Sequence, residues 1–279
     1  MTGVINLYKP KGITSSDAVV KVKKLLHTKA VGHMGTLDPQ GEGVLILGVG
    51  KATRLFDYFL GKDKVYEAEY TFGYETETLD GEGALIASSG SIPEEQKIEE
   101  ILPSFIGKQL QTPPLYSAKK VAGRKAYDMA RSGESFELKP CEIEIFSFEK
   151  LSYVDNKLTV RVHCSSGTYI RSLCRDLAHK LGTFATMTAI KRTRCGLLDV
   201  ASSVRLEDLT PDKILSVEQA LPEIEKLNLP DEHYKRLSNG VKIPYERGGK
   251  YLVFCKGEMF GIGSVRDGFL SLDIYMREV

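Results

Sequence analysis

Cysteine is scarce and poorly spaced for either of its structural uses. The five cysteines (Cys141, Cys164, Cys174, Cys195 and Cys255) are odd in number and form no CxxC pair, which argues against a disulfide framework and against a zinc site. Long apolar runs are missing too. Nothing approaches the roughly 20 consecutive apolar residues that cross a bilayer, and the N-terminal MTGVINLYKPKG breaks its one apolar stretch at Lys9 and Pro10. Secretion and membrane insertion are not expected, and a reducing cytoplasm suits the thiols. Neither GxGxxG nor GKS/GKT occurs, so no nucleotide-phosphate loop is indicated. Charge of one sign is not in excess either: 38 Lys and Arg face 37 Asp and Glu.

What is present is a globular chain with segregated charge. A 42% hydrophobic content over 279 residues is enough for a real core and for one large domain plus a small one. Lys9, Lys11, Lys21, Lys23, Lys24 and Lys29 precede Ala30 against the single acid Asp17, and Lys119, Lys120, Arg124, Lys125, Arg131 and then Lys191, Arg192, Arg194 form further basic groups. Acids gather at Glu75 to Glu82, Glu94 to Glu100 and Glu207 to Glu225. One basic face and one acidic face would follow, although basic runs are usually just solvated surface.

Periodicity alternates between strand and helix. Ala18, Val19, Val22, Leu25 and Leu26 share a helical face, with Ser15 and Ser16 as expected caps. His33 to Gly43 is aperiodic and reads as a loop, and Val44 to Leu47 as a buried strand. Tyr66, Ala68, Tyr70, Phe72 and Tyr74 alternate with polar residues, as do Leu158, Val160, Val162 and Cys164. Ile170, Leu173, Leu177 and Leu181 return to helical spacing. Strands and helices without strict βαβ repetition predict an α/β (α+β) domain with a mixed, mostly antiparallel sheet flanked by helices. After the acidic segment, short strand signals around Lys256-Gly257 and Asp267-Gly268 turns predict a small β-rich C-terminal module. The expected division is 1–228 and 229–279.

Chemistry is best sought in GHMGTLDPQGEGVLILGVGKATR, from Gly32 to Arg54. An Asp-Pro in a glycine-rich loop is most often only a turn former. Mounted on a rigid loop before a buried strand, however, the same carboxylate is well placed to act on a ligand. No paired second carboxylate stands nearby in sequence, which weakens a glycosidase reading.

GHMGTLDPQGEGVL resembles the catalytic motif of the TruB family of pseudouridine synthases, and three further blocks resemble that family in the same order. They are KVYEAEYTFG, PPLYSAKKVAGRKAYDMAR (Pro113 to Arg131) and CSSGTYIRSL (Cys164 to Leu173). The chain departs at Gly41 and Glu42, where the family often has Ala then Ser or Thr, and at Ile46, where it often has Pro. The resemblance implies an isomerase that breaks the C1′–N1 bond of the T-loop uridine of tRNA (U55), turns the uracil and joins C1′ to C5, with no cofactor and no metal.

By the same resemblance Asp38 is the catalytic carboxylate, Arg171 its ion-pair partner, and Tyr66 the aromatic that stacks on the uracil and helps remove the C5 proton. Tyr169 and Ile190 match residues lining the base pocket, His33 the residue that fills the space left by the flipped base, and Arg54 a basic position that holds a phosphate or a pocket acid. Taken singly, each of these is an ordinary core or surface residue. The C-terminal module loosely resembles a PUA-type RNA-binding unit. The partner implied is the T-arm stem-loop of tRNA, with no guide RNA or protein partner, and a monomer is expected. Two other classes stay open on the residues alone: a non-catalytic RNA-binding protein, and a small-molecule hydrolase using Asp38.

Overall fold

The computed structural model describes residues 1–117, 119–121 and 123–277, so the chain end at Glu278 and Val279 lies outside it. The side chain of Lys125, a member of the second basic group, is likewise outside the described residues.

Alternation along Lys64–Phe72 sends Tyr66, Ala68, Tyr70 and Phe72 inward. That strand lies near the middle of a nine-stranded sheet. From one edge the order runs Gly3–Lys9, Glu42–Val49, Ala185–Cys195, Lys64–Phe72, Lys157–Cys164, Cys141–Val154 and Gly107–Gln111, with Val31–His33 and Leu198–Asp199 attached at the side. All neighbours on this path are antiparallel except Glu42–Val49 against Ala185–Cys195, which is parallel. The expected mixed, mostly antiparallel sheet is thus the observed one. At the parallel contact a Cβ on Gly43 (φ +100°) would stand 2.3 Å from the Arg192 carbonyl oxygen, so only glycine allows the two backbones this close.

Two helices press their apolar faces on the sheet. Ile170–Lys180 buries Ile170, Leu173, Cys174, Leu177 and Ala178 in the largest core, beside Tyr66, Tyr70 and Phe72. Ser15–Leu25 buries Ala18, Val19 and Val22 against Ile5, Leu7, Leu45 and Leu47. Its cap is Thr14, not Ser15 or Ser16: the Thr14 side chain accepts from the Asp17 N–H, and the Asp17 carboxylate accepts from the Thr14 N–H. Thr14 followed three residues later by an acid satisfies the reciprocal capping pattern, which the neighbouring serines cannot complete.

The C-terminal sheet runs Glu225–Leu229, Gly249–Cys255, Glu258–Arg266, Phe269–Tyr275 and Ile243–Pro244. Lys256-Gly257 and Asp267-Gly268 turn its hairpins with positive φ at both residues of each pair, the backbone that right-twisted strands require. Its first strand pairs in parallel with Gly249–Cys255 and begins four residues before Leu229. Hairpin signals cannot find such a strand, because a parallel partner is reached only through a crossover. Leu252, Phe254, Ile262 and Met276 share a core with Val4, Ile46, Leu55 and Phe59, so this sheet is packed on the main domain. Among the described residues no helix is long and apolar enough to cross a membrane.

Candidate active site

The loop that carries Asp38 runs between the strands Val31–His33 and Glu42–Val49. Its backbone makes a turn, with the Gly41 N–H donating to the Asp38 carbonyl at 2.9 Å, so the turn-forming role of Asp-Pro is real. The carboxylate is spent elsewhere. Four outside groups pin the loop. Ser15, 3% exposed, bonds both the N–H and the carbonyl of Leu37 through its hydroxyl, each at 2.9 Å. The Gly12 N–H and the Lys9 ammonium both donate to the Pro39 carbonyl, at 2.9 and 3.1 Å. Arg192 reaches the Thr36 carbonyl at 3.3 Å. Leu37 itself is a member of the main core, which fixes the register of its neighbour Asp38.

Lys9 is fully buried and gives its other hydrogen bonds to the Pro10 and Ile13 carbonyls. Burial lowers its pKa to about 8. Its ammonium therefore tethers the Asp38 loop to the segment that enters the first helix.

Asp38 meets Arg171 with Oδ2 3.1 Å from Nε. Arg171 is a junction: it also pairs with Asp80 at 3.3 Å and donates to the carbonyls of Thr78 and Tyr116, both at 3.0 Å. One guanidinium thus ties together three loops that are distant in sequence. Although Arg171 lowers the Asp38 pKa, desolvation outweighs it, and Asp80 and Glu82 add to the upward shift. The net direction is up from the ordinary carboxylate value, the opposite of what the ion pair alone predicts.

A cavity of about 230 Å³ opens beside this pair, and Asp38, Tyr66, Tyr169, Arg171 and Ile190 all line it. Five of the seven residues singled out from the sequence are therefore brought together. Tyr169 caps the helix Ile170–Lys180, and its backbone is clamped by Gln111, which donates to the Tyr169 carbonyl and accepts from its N–H. Burial pushes the Tyr66 phenol up to about 12, with Arg192 opposing that rise.

The other two residues stand apart from the cavity lining. His33 closes the strand Val31–His33, opposite Leu47, five residues before Asp38. Arg54 is exposed and its guanidinium donates to the Tyr275 carbonyl. It bridges the main domain and the C-terminal sheet.

Sequence reasoning missed Lys64 and Arg192 in the cavity wall, as well as Ser15, Lys9 and Asp80 behind it. Arg192 could have been found: Ile190 and Arg192 are two apart on one strand and so share a face. Instead it was grouped with Lys191 and Arg194 as surface charge, yet it is 3% exposed. Arg194 is bound to Asp63 and His163. The third basic group is therefore not one open face.

The chain matches the model of the "TruB family pseudouridylate synthase (N terminal domain)" over residues 23–170 and that of the "tRNA pseudouridylate synthase B C-terminal domain" over residues 171–233. The chain belongs to the TruB family. It is 40% identical to a Clostridium kluyveri protein named tRNA pseudouridine synthase B, with 96% of each chain covered. A Thermosipho melanesiensis protein of the same name is 38% identical, over 94% of this chain and 90% of that one. Among solved structures, a crystal structure of a Cbf5-Nop10-Gar1 complex superposes with a TM-score of 0.74 at 26% identity, covering 99% of this chain and 84% of that chain. An H/ACA RNP bound to a substrate RNA containing 2′-deoxyuridine shares the fold, with a TM-score of 0.72 at 22% identity. A TruB-family pseudouridine synthase is an isomerase, and the cavity described above is where its chemistry is to be sought.

Proposed function

We propose that the chain isomerises the T-loop uridine (U55) of tRNA to pseudouridine, with Asp38 as the catalytic carboxylate. The observation that carries this reading is the cavity itself: one carboxylate on a pinned loop, held by Arg171, faces a wall formed by Tyr66, Tyr169 and Ile190. An aromatic and aliphatic wall suits a base that has left its stack, and a carboxylate beside it suits the electron-poor ribose carbon formed as C1′–N1 breaks. The relatives named tRNA pseudouridine synthase B, at about 40% identity over nearly the whole chain, support tRNA as the substrate. In this reading the chain acts without a guide RNA or protein partner, as a cytoplasmic monomer.

His33 enters the loop to fill the space of the flipped uridine, and Arg54 contacts the RNA backbone with the donors that Tyr275 leaves over. The C-terminal sheet adds contacts to the tRNA as a PUA-like module. For the stem, the first basic group is the better placed. Lys11, Lys21, Lys24 and Lys29 are exposed, and Lys11 lines a second cavity together with Asp38. The purified protein should convert an isolated T-arm stem-loop as well as full tRNA. If these lysines neutralise about four phosphates, affinity should drop roughly 100-fold between about 50 and about 200 mM salt. Reaction with full tRNA alone would show that recognition extends well beyond the arm.

Tyr66 stacks on the uracil and serves in loss of the C5 proton. Tyr66→Phe should leave tRNA affinity within about twofold and slow turnover by at least about tenfold, as loss of a proton-transfer group does. Tyr66→Leu should harm binding as well. Tritium release from C5 of uridine measures the first effect and filter binding the second. Normal turnover by Tyr66→Phe would remove the hydroxyl from the mechanism.

A further inference from the structure

The cavity contains a buried cation to which the roles given above assign no chemistry. Arg192 lies directly across the strand pair from Tyr66, is 3% exposed and lines the cavity. A guanidinium carries five N–H donors and no acceptor. Nε donates to the Val44 carbonyl at 2.7 Å and Nη1 to the Thr36 carbonyl at 3.3 Å, and the Tyr66 hydroxyl is within reach of a further bond. Among the described residues no carboxylate pairs with it.

The contrast with the two buried lysines is informative. Lys9 spends its ammonium on the carbonyls of Pro10, Ile13 and Pro39, and Lys64 on those of Phe59, Leu60 and Lys62. Each of these three-donor groups is satisfied, and each acts as a brace. Arg192 has donors to spare and full charge in a site where burying an unpaired ion is costly. Such a group implies that its counter-charge arrives with the ligand.

We propose that Arg192 is the counter-charge for the uracil as it leaves the sugar. This rests on the uridine reading of the cavity. When C1′–N1 breaks, the bonding pair goes to N1 and spreads over O2 and O4, while C1′ becomes electron-poor beside Asp38. In the second half C5 bonds to C1′, the C5 proton leaves, and N1 takes up a proton, so the product is an isomer of the substrate. Negative charge on the base exists only between these events. A cation fixed in advance by Val44 and Thr36 stabilises that state more than the neutral base, which is the condition for acceleration.

The test pairs two variants with two substrates in single-turnover assays at saturating stem-loop. The target carries either uridine or 5-fluorouridine, whose fluorine acidifies the ring and makes the uracil a better leaving group. Arg192→Gln should slow C1′–N1 cleavage about 100-fold with uridine and at least about tenfold less than that with 5-fluorouridine. RNA affinity should stay within about threefold, and Arg192→Lys should recover part of the loss. Equal losses on both substrates, or a loss of affinity alone, would assign Arg192 to bracing the backbone and overturn the proposal. So would uridine turnover within threefold of wild type. Should both variants melt below the assay temperature, the wild-type enzyme decides: its affinity for free 5-fluorouracil should rise with pH as the ring ionises, and a flat or falling profile overturns the proposal. A wild type inert on the uridine stem-loop overturns the uridine reading and this role together, whereas an active wild type with equal losses overturns this role alone.

Discussion

Asp38→Asn is expected to lower isomerisation by at least about 1000-fold while tRNA affinity stays within about threefold of wild type. The amide keeps the shape of the side chain and loses the charge that must face the electron-poor sugar carbon, and removal of one well-placed charge of this kind is worth a few kcal/mol of transition-state stabilisation. The fold should survive, because Arg171 retains Asp80 and the carbonyls of Thr78 and Tyr116. Tritium release from C5 of uridine and filter binding separate the two effects. Residual activity within tenfold of wild type would sink the assignment. The same residue is expected to set the acid limb of the wild-type profile. Since the ionised form is required and desolvation raises its pKa above 3.8, activity should fall as pH drops through a value higher than that of an unperturbed aspartate.

The sheet was legible because half-buried strands announce themselves by alternation, and Tyr66 to Phe72 and Leu158 to Cys164 do so clearly. The Asp38 loop was legible by a different route, through four ordered motifs. What the sequence hid falls into two kinds. Braces such as Ser15 and Lys9 look like any capping serine or surface lysine until the fold carries Leu37 and Pro39 to them. Burial of a cation does not show in the charge of a basic run, only in strand phase: Lys191, Arg192 and Arg194 lie within four residues, yet one enters the cavity wall on the face of Ile190 and another is held by Asp63. Two departures from the family pattern have local explanations. Glu42 accepts a hydrogen bond from the Tyr8 hydroxyl at 3.0 Å, and at Gly41 a Cβ would stand 3.0 Å from the Leu37 side chain.

Arg171→Leu should be the most damaging single change in the cavity. It strips a 8%-exposed guanidinium from two carboxylates and two backbone carbonyls at once. Breaking a buried pair from one side commonly costs 3–5 kcal/mol, and roughly 3 kcal/mol fits here because Asp38 is itself 38% exposed. Melting temperature should fall accordingly, and turnover should be lost with it. Arg171→Lys is the sharper test. A lysine keeps the charge but presents a single ammonium where a planar fork now spans four acceptors, so Asp38 loses part of the larger of the two influences, Arg171 and Lys9, that hold its pKa down. The folded lysine variant should therefore show a lower rate and an acid limb displaced to higher pH, since a carboxyl with a higher pKa is already protonated where the wild-type group is still ionised. Rate–pH profiles of both enzymes on the same stem-loop decide the matter. If the lysine variant keeps the wild-type limb and rate, Arg171 joins the loops without tuning the carboxylate.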